Sequence, residues 1–183
     1  SIKNKLKKKE YKDAMFFFKL YFSTYSDNWY LSLFKPYKGI KGEITPGYSI
    51  LKKEDIKRMH YLCPDAKIII MLRNPIERAW SHFRYSMSIK NLSMDNFSED
   101  EIIDFIEDEK QTLRSDYIGI LNSFSEFFPK NQIMIGFYDA IKDYPDRLLY
   151  EVTHFLQETS IDHGIEFNTS NKIINKSISI NCP

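Results

Sequence analysis

The sequence predicts an α/β fold, three layers with helices on both faces of a mostly parallel sheet. Two unbroken apolar runs, Ile68-Ile69-Ile70-Met71-Leu72 and Ile133-Met134-Ile135-Gly136-Phe137-Tyr138, have the length and bounds of strands buried on both faces. Stretches with apolar residues at helical spacing alternate with them, the pattern of parallel strands joined through helices. The first run also passes within three residues into a strong helix start, Asn74-Pro75-Ile76-Glu77. A chain of 183 residues suits one domain with a real core, since at that size roughly 70% of the unfolded surface is buried.

Composition narrows the function classes. Lys and Arg number 26 against 25 Asp and Glu, so no global field points to nucleic acid or a membrane surface. Aromatics are abundant (14 Phe, 12 Tyr) and Gly and Pro few, which argues against disorder and repeats. Cys63 and Cys182 lack metal-ligand or CxxC spacing. A disulfide between them stays open, with two reduced thiols in a cytoplasmic protein the plainer reading. No apolar run reaches the ~18–20 residues that span a bilayer.

Taken in order, residues 2–22 read as a basic helix. Lys3, Lys5, Lys7, Lys8, Lys9 and Lys12 precede Met15-Phe16-Phe17-Phe18, a solvated face with its apolar end on the core. Asp27 or Asn28 is expected to cap a short helix carrying Trp29, Leu33 and Phe34. A strand is expected around Ile40 to Ile44, broken by the turn Thr45-Pro46-Gly47. Glu43 within it is a candidate general base or substrate contact, or simply the partner of a nearby Lys. Lys52 to Leu62 follows as a helix with Ile56, Met59 and Leu62 inward.

The central unit spans Lys67 to Met87. After the strand, Arg73 stands where the chain emerges, Asn74 caps, Pro75 takes the first helical position and Glu77 the third. Ile76, Ala79, Trp80, Phe83 and Met87 form one stripe; Arg78, Ser81 and Tyr85 fall on a neighbouring face. An Arg delivered to a capped helix with a hydroxyl two turns along makes a candidate phosphate site. In the plainer reading of the same unit, Arg73 only pairs with a neighbouring carboxylate.

Ser98 to Gln111 reads as an acidic helix with Ile102, Ile103, Phe105 and Ile106 on its apolar side. Ser115 or Asp116 caps a helix running to Phe128, with Ile118, Leu121, Phe124 or Ser125, and Phe128 inward. After the second strand, residues 139–145 read as a loop. Asp146 to Leu156 is the last helix, burying Leu148, Leu149, Val152, Phe155 and Leu156.

Three stretches resemble the PAPS-dependent sulfotransferase family, of the heparan-sulfate and bacterial sulfotransferase-domain type. Leu72-Arg73-Asn74-Pro75-Ile76-Glu77-Arg78-Ala79-Trp80-Ser81 is similar to its 3′-phosphate-binding segment. Gly42-Glu43-Ile44-Thr45-Pro46-Gly47-Tyr48 resembles its G-E-K-[TS]-x-x-Y, with Ile44 where relatives acting on polysaccharides carry Lys. Tyr117 to Leu156 resembles its Y-x-x-x-L…F-P-x-x-Q-I segment. The resemblance implies a P-loop NTPase-like fold and sulfuryl transfer from PAPS, without a metal, to an acceptor glycan, lipid or small molecule. It implies that Arg73 and Ser81 bind the 3′-phosphate of that cofactor, and that Arg78 is structural. The catalytic residue stays unknown, with Glu43 the candidate.

The family's K-x-G-T-[TS] loop and its Lys-Glu-x-x-aromatic-Phe segment do not occur in these residues. Residues 1–183 therefore read as a single partial sulfotransferase domain, incomplete at both ends. Alone, the chain is expected to bind nucleotide weakly and transfer no sulfate. Two rival readings are a nucleotide-kinase-like remnant, with Asp139 as its candidate Mg²⁺ ligand, and a non-catalytic interaction module.

Overall fold

The computed structural model describes residues 24–36 and 39–156, together with Ala14 and Phe18. The basic stretch 2–22 therefore lies outside the described residues except at Ala14 and Phe18, both helical. Cys182 lies outside them too, and with it the question of a disulfide. Residues 1–45 and 46–183 form two compact units, each taken by itself below.

In the first unit, helix α1 (Asp27–Phe34) buries Leu33. Its cap is Ser26, whose side chain accepts from the Trp29 amide at 3.2 Å, one residue earlier than expected. The strand expected around Ile40 to Ile44 does not form: residues 40–45 carry no regular structure. Gly39 sits at φ 80°, and Ile40 and Ile44 are exposed, Ile44 almost wholly. With Ile44 almost wholly exposed and Ile40 half-exposed, little apolar burial offsets the entropy of ordering a strand there.

In the second unit, a 3₁₀ turn (Pro46–Ile50) leads into α2 (Lys53–Leu62), which buries Ile56 as its spacing predicts. Strand β1 (Ile68–Leu72) and strand β2 (Ile133–Phe137) pair in parallel, Ile68 opposite Ile133 through to Leu72 opposite Phe137. Between them run α3 (Pro75–Lys90), α4 (Glu99–Glu107), α5 (Glu109–Ser115) and α6 (Tyr117–Ser125). A parallel pair needs such a crossover. After β2 come α7 (Tyr138–Asp143) and α8 (Pro145–Phe155).

Ile56, Ile120, Phe124 and Phe128 form the core on one face of the sheet, against Ile68, Ile70 and Ile133. Met71 and Gly136 lie on the opposite face by alternation, and there α8 brings Leu148 within 3.5 Å of where a Gly136 Cβ would stand. That Cβ would meet Met71 Sδ at 2.6 Å, so glycine is what lets the two strands keep their pairing beside Met71. The strand starts are tied by Lys67 Nζ donating to the Asn131 carbonyl (3.1 Å) and Gln132 Nε2 to the Pro64 carbonyl (2.8 Å).

Several expectations need correction. The described sheet has two strands, so β1 has no partner from residues 40–44. Neither strand is buried on both faces: Ile69, Met71, Ile135 and Phe137 are exposed. The cover on the second face, drawn from α8, is partial, and α8 has no fully buried residue. Ile76 and Ile118, assigned to inner stripes, are exposed. The face of α6 is phased from Tyr117, through Ile120 and Phe124 to Phe128, which puts Ile118 about 100° away around the helix. The acidic stretch breaks at Asp108, which ends α4 and caps α5 by accepting from the Lys110 amide. Residues 138–143 are helical, where a loop was expected from Asp139.

Candidate functional site

The site is assembled at the carboxyl end of β1. Asn74 caps α3 as expected, its Oδ1 accepting from the amides of Ile76 (3.0 Å) and Glu77 (3.3 Å). This has a chemical consequence. Two first-turn amides that would otherwise face an anion are already satisfied by the cap, so recognition here falls to side chains and to the helix dipole.

The Arg73 side chain, at the end of β1, is about a quarter exposed. Its Nε and Nη2 lie 3.4 and 3.5 Å from Glu77 Oε2, one helical turn along. The carboxylate pairing of the plainer reading is therefore present, but at distances well beyond the 2.7–2.9 Å of a strong charge-assisted bond. The guanidinium lies over the Tyr138 ring, 4.3 Å from its centroid. Tyr117 Oη donates to the Arg73 carbonyl at 2.5 Å. Residues from α3, α6 and α7 thus brace Arg73. Neither tyrosine was singled out for this in the sequence, because both contacts join positions far apart in the chain. Ser81 occupies the second turn of α3 and is half-buried.

Behind α3 lies a second polar cluster. Arg78 Nε and Nη2 donate to Ser115 Oγ (3.1 and 2.9 Å), Nη1 to Gln111 Oε1 (3.1 Å) and Nη2 to the Gln111 carbonyl (3.0 Å). Gln111 is buried, and its Nε2 meets His82 Nδ1 at 2.7 Å. Burial lowers the Arg78 pKa; the phenol of Tyr117 opposes that shift and the Arg114 cation adds to it. All four Arg78 bonds go to neutral acceptors. Gln111 and His82 were missed: the one sequence signal was a polar residue at the end of an acidic helix.

Glu43 belongs to the first unit, where it is exposed and accepts from Tyr30 Oη at 2.7 Å. The Tyr30 hydroxyl is thus one of its partners. Asp139 stands in the first turn of α7. Among the described residues, no three His, Cys, Asp or Glu side chains come together as a metal site. A cavity of about 160 Å³ lined by Ser49, Leu51, Leu113, Asp116, Gly119 and Ser123 includes neither Arg73 nor Ser81.

Comparison with known proteins bears on this arrangement. A family model described as "Sulfotransferase domain" matches residues 56–178. A crystal structure of a sulfotransferase from Alicyclobacillus acidocaldarius is similar, with a TM-score of 0.56 at 21% identity over 75% of this chain. At that identity the likeness speaks for the fold. The chain spans 58% of that protein's length. No curated protein matches the chain.

Proposed function

The chain belongs to the sulfotransferase-domain family, and from that premise we propose that it serves sulfuryl transfer from PAPS to an acceptor hydroxyl or amine. Arg73 and Ser81 hold the 3′-phosphate, the group that separates PAPS from ATP. The acceptor attacks sulfur in line with the bridging oxygen. The sulfur–oxygen bond to the 5′-phosphate breaks, and its electron pair leaves on adenosine 3′,5′-bisphosphate. The acceptor's proton passes to a base. Glu43 is the candidate for that base on this chain, and the acceptor is a glycan, a lipid or a small molecule. A cytoplasmic setting fits this reading.

The observation that carries the proposal is the seat of Arg73. It stands at the carboxyl end of a parallel strand, where open α/β sheets bind ligands. The Tyr138 ring holds its guanidinium, while its ionic partner Glu77 stays at 3.4–3.5 Å. A phosphate dianion is a stronger acceptor than a carboxylate at that distance, and fits the guanidinium fork.

The test is titration calorimetry of the full chain against adenosine 3′,5′-bisphosphate and adenosine 5′-monophosphate, with a sulfate-transfer assay from PAPS alongside. The expected result is weak but measurable binding of the bisphosphate, weaker binding of the monophosphate, and no transfer. Equal affinities would remove the 3′-phosphate site. Robust transfer abolished by Glu43→Gln would show that these residues suffice for turnover.

A further inference from the structure

The cluster behind α3 has a direction. Arginine can only donate, so Gln111 must present Oε1 to Arg78 Nη1 (3.1 Å) and its amide nitrogen to His82. That nitrogen lies 2.7 Å from His82 Nδ1 and can only donate, so Nδ1 must carry a lone pair. Turning the amide over would set its N–H groups against the guanidinium, so Arg78 decides the assignment. The neutral ring then carries its proton on Nε2.

We infer that His82 is a positioning residue: held as the neutral Nε2–H tautomer, it closes an Arg78–Gln111–His82 relay that fixes α3, and with it Ser81, against α5. The inference rests on the proposed contact of Ser81 with the 3′-phosphate. Two neighbouring elements supply the groups against the ring. Gln111 comes from α5, and Phe105 comes from α4 with its ring centroid 5.6 Å away. Within the relay the Arg78 guanidinium stands one turn back on α3, and the cation of Arg114 on α5 acts on Arg78. A protonated His82 would point N–H at N–H across the Gln111 amide and add a third cation to that pair. The relay would open, and Ser81 would lose its fixed place.

The first test needs no nucleotide. Long-range ¹H–¹⁵N spectra of the labelled full chain near neutral pH should show His82 as the Nε2–H tautomer. An Nδ1–H tautomer, or averaging of the two, would overturn the inference. The second test measures adenosine 3′,5′-bisphosphate affinity at about pH 8 and about pH 5.5. The nucleotide's own phosphates titrate in that range, so His82→Asn serves as reference: its Oδ1 can accept in place of Nδ1 but gains no proton. Wild type should lose roughly threefold or more beyond the loss of His82→Asn, the effect of one neutral hydrogen bond. His82→Phe, with no acceptor, should lack the extra loss and bind weakly at both pH values. Equal pH dependence of wild type and His82→Asn would refute the relay. If wild type binds no nucleotide at either pH, the proposed function fails. The relay then stands or falls on melting temperature, which should drop further on acidification in wild type than in His82→Asn.

Discussion

Replacing Arg78 by Met removes a guanidinium that makes four hydrogen bonds to Gln111 and Ser115 while keeping most of the side-chain volume. A hydrogen bond to a charged group contributes about 1.5–3 kcal/mol, and a buried acceptor left unpaired costs about 1–3 kcal/mol. The four bonds share one desolvated group and do not add. Ser115 can turn its hydroxyl elsewhere, whereas Gln111 is buried at 4% exposure and cannot reach water. The net loss should therefore be about 2–4 kcal/mol, or roughly 4–16 °C in melting temperature for a chain of this size. Urea unfolding followed by circular dichroism measures it. Read in a His82→Phe background, where Gln111→Leu leaves no histidine acceptor unpaired, the sign of the Arg78→Met/Gln111→Leu change is decisive, since replacing both partners by apolar groups relieves the unpaired amide. In that background the double variant should be more stable than Arg78→Met alone. Burial lowers the Arg78 pKa, and a base so shifted costs stability while charged, a cost that fades only as pH rises through the folded pKa. That window lies far into the alkaline range, so the loss should be flat from about pH 7 to 9. A loss under about 1 kcal/mol, or a double variant less stable than the single, would refute the reasoning.

Phe128→Ala, at a core residue 1% exposed, should cost about 3–5 kcal/mol in the same unfolding assay. Asn74→Ala removes the cap of α3 and should cost about 1 kcal/mol, with Asn74→Asp recovering most of it. Gly136→Ala sets a methyl group against Met71 Sδ and should cost about 1–2 kcal/mol. Because the thioether is what stands in the way, the cost should shrink in a Met71→Ala background.

Local signals carried much of this fold. Apolar runs marked both paired strands, and Asn74-Pro75 marked the start of α3 to the residue. The fourfold spacing of Ile120, Phe124 and Phe128 was there to read, but Ile118 competed for the stripe because it is equally apolar. Packing of Ile120, Phe124 and Phe128 with Ile56 of α2 in one cluster fixes the phase. Ile40 to Ile44 shows the opposite failure. Its composition allows a strand, but a strand needs a neighbour, and in this structure both isoleucines are left exposed. The place of Arg73 just after β1 was legible from the first apolar run. Its bracing by Tyr117 and Tyr138 depends on two chain reversals that no window of sequence contains. The Gln111–His82 contact joins residues 29 apart and was invisible for the same reason.

The central claim, that Arg73 recognises a 3′-phosphate, is tested most directly by a cycle between protein and ligand. Affinities of wild type and Arg73→Ala are measured for adenosine 3′,5′-bisphosphate and for adenosine 5′-monophosphate. Arg73→Ala should weaken the bisphosphate on the order of 10- to 100-fold, the contribution of a charge-assisted bond. It should leave the monophosphate nearly unchanged. An equal loss for both nucleotides, or no loss for either, would contradict the account.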